Sequence, residues 1–171
     1  MNKHNQHGAS LVFVTLLLAV LLGFFALAID VGYLFVVRNE LQNAADAAAL
    51  AGAGASGVYL SSGEPDWING LAQAHVVISL NKAANKQLIN RDIVSECRNL
   101  SGVILPGGGP CSSTYFPAFQ VTIRKTAGQN DGGVSTFFAG VLGIKSLDVG
   151  AMAIAVASGF PGDSHHPKLV Q

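Results

Sequence analysis

Residues 8–37 read GASLVFVTLLLAVLLGFFALAIDVGYLFVV and hold a single ionisable side chain, Asp30. A helix of about 20 apolar residues is long enough to cross a bilayer, and Ala9 to Ile29 form such a run without a charge. The stretch predicts a transmembrane helix over residues 9–30. Beyond Asp30 the apolar run resumes, and residues 39–53, NELQNAADAAALAGA, continue in residues that favour or tolerate a helix. No proline precedes Pro65. One helix is therefore expected from about Ala9 to about Ala53, its first half in lipid and its extension, residues 31–57, standing clear of the membrane.

Within the span, Ala19, Gly23, Ala26 and Asp30 recur at i, i+4, i+7 and i+11, a small-residue face ending in a carboxylate. Small residues let helices approach closely in lipid, where apolar burial gives no driving force. The stripe is thus a candidate association face, and Asp30 marks either the water boundary or a partner contact. Farther along, Leu41, Ala44, Ala45, Ala48 and Ala49 share one side of the helix, opposite Asn39, Asn43 and Asp46. The alanine side requires a covering surface.

The 171-residue chain leaves room for one modest domain after the anchor. Charged residues make up 12% and the net charge is zero, so no basic stripe is available to hold a phosphate backbone, and nucleic acid is not an expected partner. The short leading tail, residues 1–8, is expected in the cytoplasm, with everything after the span exported. In that compartment a disulfide between Cys97 and Cys111 would persist. Two other readings of the amino terminus stay open. Ala26-Leu27-Ala28 fits a signal-peptidase site, which would release a secreted small-ligand-binding domain. Gly8 could end a prepilin leader, although pilin-like helices often carry Glu at the position held here by Phe13.

The rest of the chain predicts an α+β domain over residues 58–158, with helices packed on an antiparallel or mixed sheet. Pro65 opens a second helix, expected from about Asp66 to Leu88, with His75, Ser79, Lys82 and Lys86 on its wet side. A strand is expected over Asp92–Cys97, followed by a long loop. Ala118 to Arg124 alternates Phe119, Val121 and Ile123 with Gln120, Thr122 and Arg124, the period of a half-buried strand. A short helix follows over Ser135–Leu142, capped by Ser135 and ended by Gly143. Leu147–Val156 is apolar on both faces and so expected at the centre of its sheet. Residues 159–171 lack periodicity and are expected to be disordered, with His165 and His166 incidental.

No catalytic, cofactor or metal site is legible. Gly52-Ala53-Gly54-Ala55-Ser56-Gly57 matches the letters of a dinucleotide fingerprint, but a helix precedes it where a strand is needed. Gly107-Gly108-Gly109 lacks the Lys-Ser/Thr pair of a phosphate loop, and His75 has no ligand at metal spacing. With no nucleophile, base and orienter in a recognisable frame, no enzyme activity is expected.

Ala28 to Gly32 (AIDVG) and Leu41 to Ala53 (LQNAADAAALAGA), behind the apolar segment, resemble the amino-terminal signature of the TadG-like proteins of the Tad (tight adherence, or Flp pilus) assembly system. FQVTIRK and STFFAGVLGIKSLDVGAMAIAVAS resemble the later part of the same bacterial family, so the likeness covers about Gly8 to Ser158. The resemblance implies a single-pass inner-membrane protein with a periplasmic domain of pilin-like architecture, serving pilus assembly or anchoring. It also implies partners: the lipid bilayer, other Tad assembly proteins or pilins, and a second copy of the chain. A minor pilin processed after Gly8 and built into the filament is the alternative within the same machine.

Overall fold

A computed structural model describes residues 7–57, 64–89, 91–106, 111–112, 114–157 and 168–170. The chain is α+β. Helix α1, His7–Ser56, runs unbroken for 50 residues. It contains no proline, and neither Gly23 nor Gly32 interrupts its ladder. Its two halves differ in environment. From Leu11 to Ile29 every large apolar side chain is exposed, whereas Val37, Leu41, Ala44, Ala45, Ala48, Ala49 and Ala53 are fully buried.

The surface covering that second half is a four-stranded antiparallel sheet in the order β3-β4-β7-β8, formed by Asp92–Arg98, Phe116–Lys125, Val149–Val156 and Lys168–Val170. Ser95 stands opposite Phe119 on β4, and Val121 opposite Ala153 on β7. The period-2 alternation in β4 sends Phe119, Val121 and Ile123 into the core with no exposure. On β7 the inward residues are Ala151, Ala153 and Ala155. Alanine on the strand and alanine on α1 let backbone approach backbone, and the larger β4 side chains fill the remaining core beside them. β7 lies inside the sheet as expected, although its outer face leaves Met152 exposed.

Helix α2, Trp67–Leu80, closes the other side of the core. The Asp66 carboxylate caps it by accepting from Asn69 N–H at 3.0 Å, and Pro65 precedes that cap instead of opening the helix. Gly52 on α1 and Gly70 on α2 flank one ring. A Cβ built on Gly52 would lie 2.7 Å from Phe119 Cδ1, and one on Gly70 would lie 2.5 Å from Phe119 Cζ. Gly52 therefore serves inside the helix as the notch for Phe119.

Three expectations are corrected. α2 ends at Leu80, not Leu88: Lys82–Ala83 (β1) and Lys86–Gln87 (β2) form a hairpin whose turn residues, Ala84 and Asn85, both have positive φ. Asn81 stops the helix by donating its side-chain amide to Val77 O, and Glu40 of α1 accepts the Ala84 N–H at 2.8 Å. Residues 135–142 are not one helix. Val134–Ser135 is a strand, β5, paired with β6 (Ser146–Leu147), and only Ala139–Leu142 wind, as a 3-10 turn ended by Gly143 at φ 88°. Lys168–Val170 pair with β7 as an edge strand, where sequence periodicity suggests only a tail. The rest of that tail, with His165 and His166, lies outside the described residues, as do residues 1–6 and Gly107-Gly108-Gly109.

Candidate functional site

Among the described residues, the most specific polar arrangement is built on Asp30. Midway along α1 this carboxylate is only 2% exposed. Its Oδ1 accepts from Phe137 N–H at 2.7 Å and its Oδ2 from Ala139 N–H at 2.6 Å, while Phe138 N–H approaches both oxygens at 3.3 and 3.0 Å. Three successive backbone donors thus face one carboxylate. They are the donors that a helix start leaves without internal partners, so Asp30 caps the 3-10 turn, the role expected from sequence for Ser135.

The loop between β5 and β6 is tied to itself as well. Thr136 N–H bonds Lys145 O at 3.1 Å, Ile144 N–H bonds Ala139 O at 3.1 Å, and Val141 N–H bonds Phe138 O at 3.0 Å. Phe137 meets Tyr33 of α1 edge to face, with ring centroids 5.4 Å apart. The result is a closed knuckle pinned to α1 through Asp30 and Tyr33. Between it and the helix runs a groove of about 260 Å³, walled by Gly23, Ala26 and Leu27 on one side and by Phe138, Val141 and Leu142 on the other.

This arrangement divides the small-residue stripe. Ala19 and Gly23 are exposed, Ala26 is half-buried, and Asp30 is closed over by the chain's own loop. Asp30 therefore neither marks open water nor offers a free carboxylate to another helix. The remaining polar candidates lie elsewhere. Cys97 and Cys111 are joined, Cα to Cα 5.4 Å, tethering the long connection between β3 and β4. His75 is half-buried and accepts from Arg91 Nε at 2.7 Å. Desolvation first, then the Arg91 charge, hold its pKa below the ordinary histidine value. Among the described residues no group of three or more His, Cys, Asp or Glu side chains converges on a point.

Residues 8–55 match the family model Tad, "Putative Flp pilus-assembly TadE/G-like". The match takes in the exposed half of α1, Asp30 and the alanine face, so this amino-terminal part of the chain is similar to the TadE/G-like pilus-assembly family. No curated protein and no solved structure matches the chain.

Proposed function

We propose that this chain is a TadG-like, membrane-anchored structural protein that supports assembly or anchoring of the Flp pilus. The first half of α1 crosses the bacterial inner membrane once, the amino terminus is cytoplasmic, and the folded domain stands in the periplasm. One observation carries the reading: α1 is a single continuous helix, bare and apolar along its first half and forming the domain's own core along its second. From Ala9 to Ile29 this half holds no charged side chain, and from Leu11 onward its large apolar side chains are exposed. A run of exposed Leu, Val and Phe costs nothing in lipid and a great deal in water. Because the helix does not break, the domain sits on its anchor without a hinge, and displacement of one is passed to the other.

The reading assigns no catalytic chemistry and no cofactor to the chain. Its partners are other Tad assembly components, pilins or a second copy, reached through the open part of the stripe at Ala19 and Gly23. Mass spectrometry of the mature amino terminus separates this reading from its rivals. The proposal expects Met1 retained; a start at Ala9 would instead indicate a processed minor pilin, and a start at Ile29 a secreted domain. A reporter active only after export should work when fused after Val156 and fail when fused before Gly8. The reverse pattern would overturn the topology.

A further inference from the structure

We propose that residues 137–144 form a second membrane contact, an apolar knuckle entering the domain-side leaflet beside α1. The inference rests on the reading that α1 crosses the bilayer. Residues 137–144 read FFAGVLGI, without a polar side chain. Instead of joining the core, Phe137 is 65% exposed, Val141 87% and Leu142 80%. Contiguous exposed apolar surface of this kind marks a contact, and its position says which one.

The knuckle does not point away from the anchor. Val141 and Leu142 share a groove with Gly23, Ala26 and Leu27, which lie on the amino-terminal side of Asp30. At the rise of an α-helix, Gly23 is about 10 Å down the axis from Asp30. If the span is Ala9 to Ile29, it matches a hydrocarbon thickness of about 30 Å, and the knuckle's tip lies inside it. Across that groove the tip faces Leu27, itself exposed among the apolar side chains of α1, so lipid bathing one bathes the other.

Non-helical backbone entering lipid must have its polar groups satisfied internally. Here Asp30 takes the N–H groups of Phe137, Phe138 and Ala139, and chain carbonyls take those of Val141, Gly143 and Ile144. The reciprocal holds for Asp30, since a carboxylate at the membrane boundary is tolerated when it is fully bonded. At the knuckle's upper edge Tyr33 meets Phe137 edge to face, and exposed Lys145 can extend to headgroups.

The test is spin-label depth measurement on the full chain in vesicles of phosphatidylethanolamine with phosphatidylglycerol. Leu18→Cys, Val141→Cys and Ile68→Cys are labelled one at a time, without reductant so that Cys97 and Cys111 stay joined. Ile68 is exposed at the far end of α2 and reports water. Labels at 18 and 141 should both be accessible to oxygen and protected from a water-soluble nickel chelate, with an oxygen-to-nickel ratio several-fold above that at 68. Lipid access at 18 with water access at 141 overturns the knuckle and leaves the span standing. A label at 141 shielded from both reagents also overturns it, because protein would then cover the site. Water access at 18 removes the span and the knuckle together.

Discussion

The carboxylate of Asp30 accepts the backbone N–H of Ala139 at 2.6 Å, joining residues 109 positions apart in the chain. That contact and its two neighbours hold the knuckle against α1. Asp30→Ala would strand three backbone donors in a buried place, where hydrogen bonds to a charged group each contribute about 1.5–3 kcal/mol. The expected loss is about 2–4 kcal/mol of docking stability. The sheet and α2 should survive, because Asp30 is remote from the Phe119 core. Hydrogen exchange should therefore show faster exchange at 137–139 and unchanged protection in β4. Asp30→Asn should fall between the two, since its amide keeps one acceptor oxygen and turns a donor toward donors. Unchanged exchange at 137–139 in Asp30→Ala would contradict the latch.

Gly70→Ala tests the notch around Phe119. The added Cβ would stand 2.5 Å from the ring and 2.9 Å from Gly52 O, and a backbone carbonyl cannot swing aside. Overpacking of this kind costs about 1–3 kcal/mol, against a helix-propensity gain of about 1 kcal/mol. A net loss in denaturant midpoint is expected, larger than that for Ala72→Gly on the exposed face of α2. A stabilised Gly70→Ala would mean that the two helices are farther apart than described.

Stability should fall as the medium is acidified through the histidine range. Burial and Arg91 lower the pKa of His75 in the folded chain, while the unfolded chain titrates near about 6.5. Above that pH both states are neutral and nothing is lost. Below it the unfolded state binds the proton first, so folding weakens until the folded pKa is also passed. His75→Gln, which can still accept from Arg91 through its side-chain oxygen, should flatten the pH profile of the melting temperature across this window. An unaltered slope would place the titration elsewhere.

Gly23→Leu asks whether the open part of the stripe meets another helix. A Cβ at Gly23 meets nothing within 4 Å, and the neighbouring groove gives a larger side chain room. The chain's own stability should be unchanged. A loss of crosslinking to pilus-assembly proteins would then report a helix packed at Gly23. Unchanged crosslinking and pilus output would make the stripe a lipid-facing surface.

Where apolar residues and burial coincide, the fold is legible from sequence. Phe119, Val121 and Ile123 alternate because one side of β4 is core, and the alanine side of α1 signals a covering surface before the sheet is seen. That correspondence fails in FFAGVLGI, where the sequence suggests a short helix and Phe137, Val141 and Leu142 are bare. The Asp30 latch leaves no local trace, since its donors are main-chain groups far along the chain and any residue type could supply them. The Lys82–Gln87 hairpin is hidden for a different reason. Its residues tolerate a helix, and only the positive φ of Ala84 and Asn85, held from outside by Glu40, turns the chain.

The disulfide gives the last prediction. Cys97 is 7% exposed, so a thiol there would resist alkylation in the folded protein whether or not it were paired. Labelling must therefore be done in denaturant, with acid quenching to stop exchange. Neither Cys97 nor Cys111 should react before reduction, and both should react after it. The residues are 14 apart in sequence, and closing a loop of that size contributes about 3 kcal/mol in the chain-entropy model. Cys111→Ser should lower unfolding stability by about that amount. Adding reductant to the unmodified chain should give a similar loss, whereas reductant should do nothing further to Cys111→Ser. Labelling of both cysteines in unreduced, denatured protein would show two thiols, and the stability effect of reductant would then vanish with the bond.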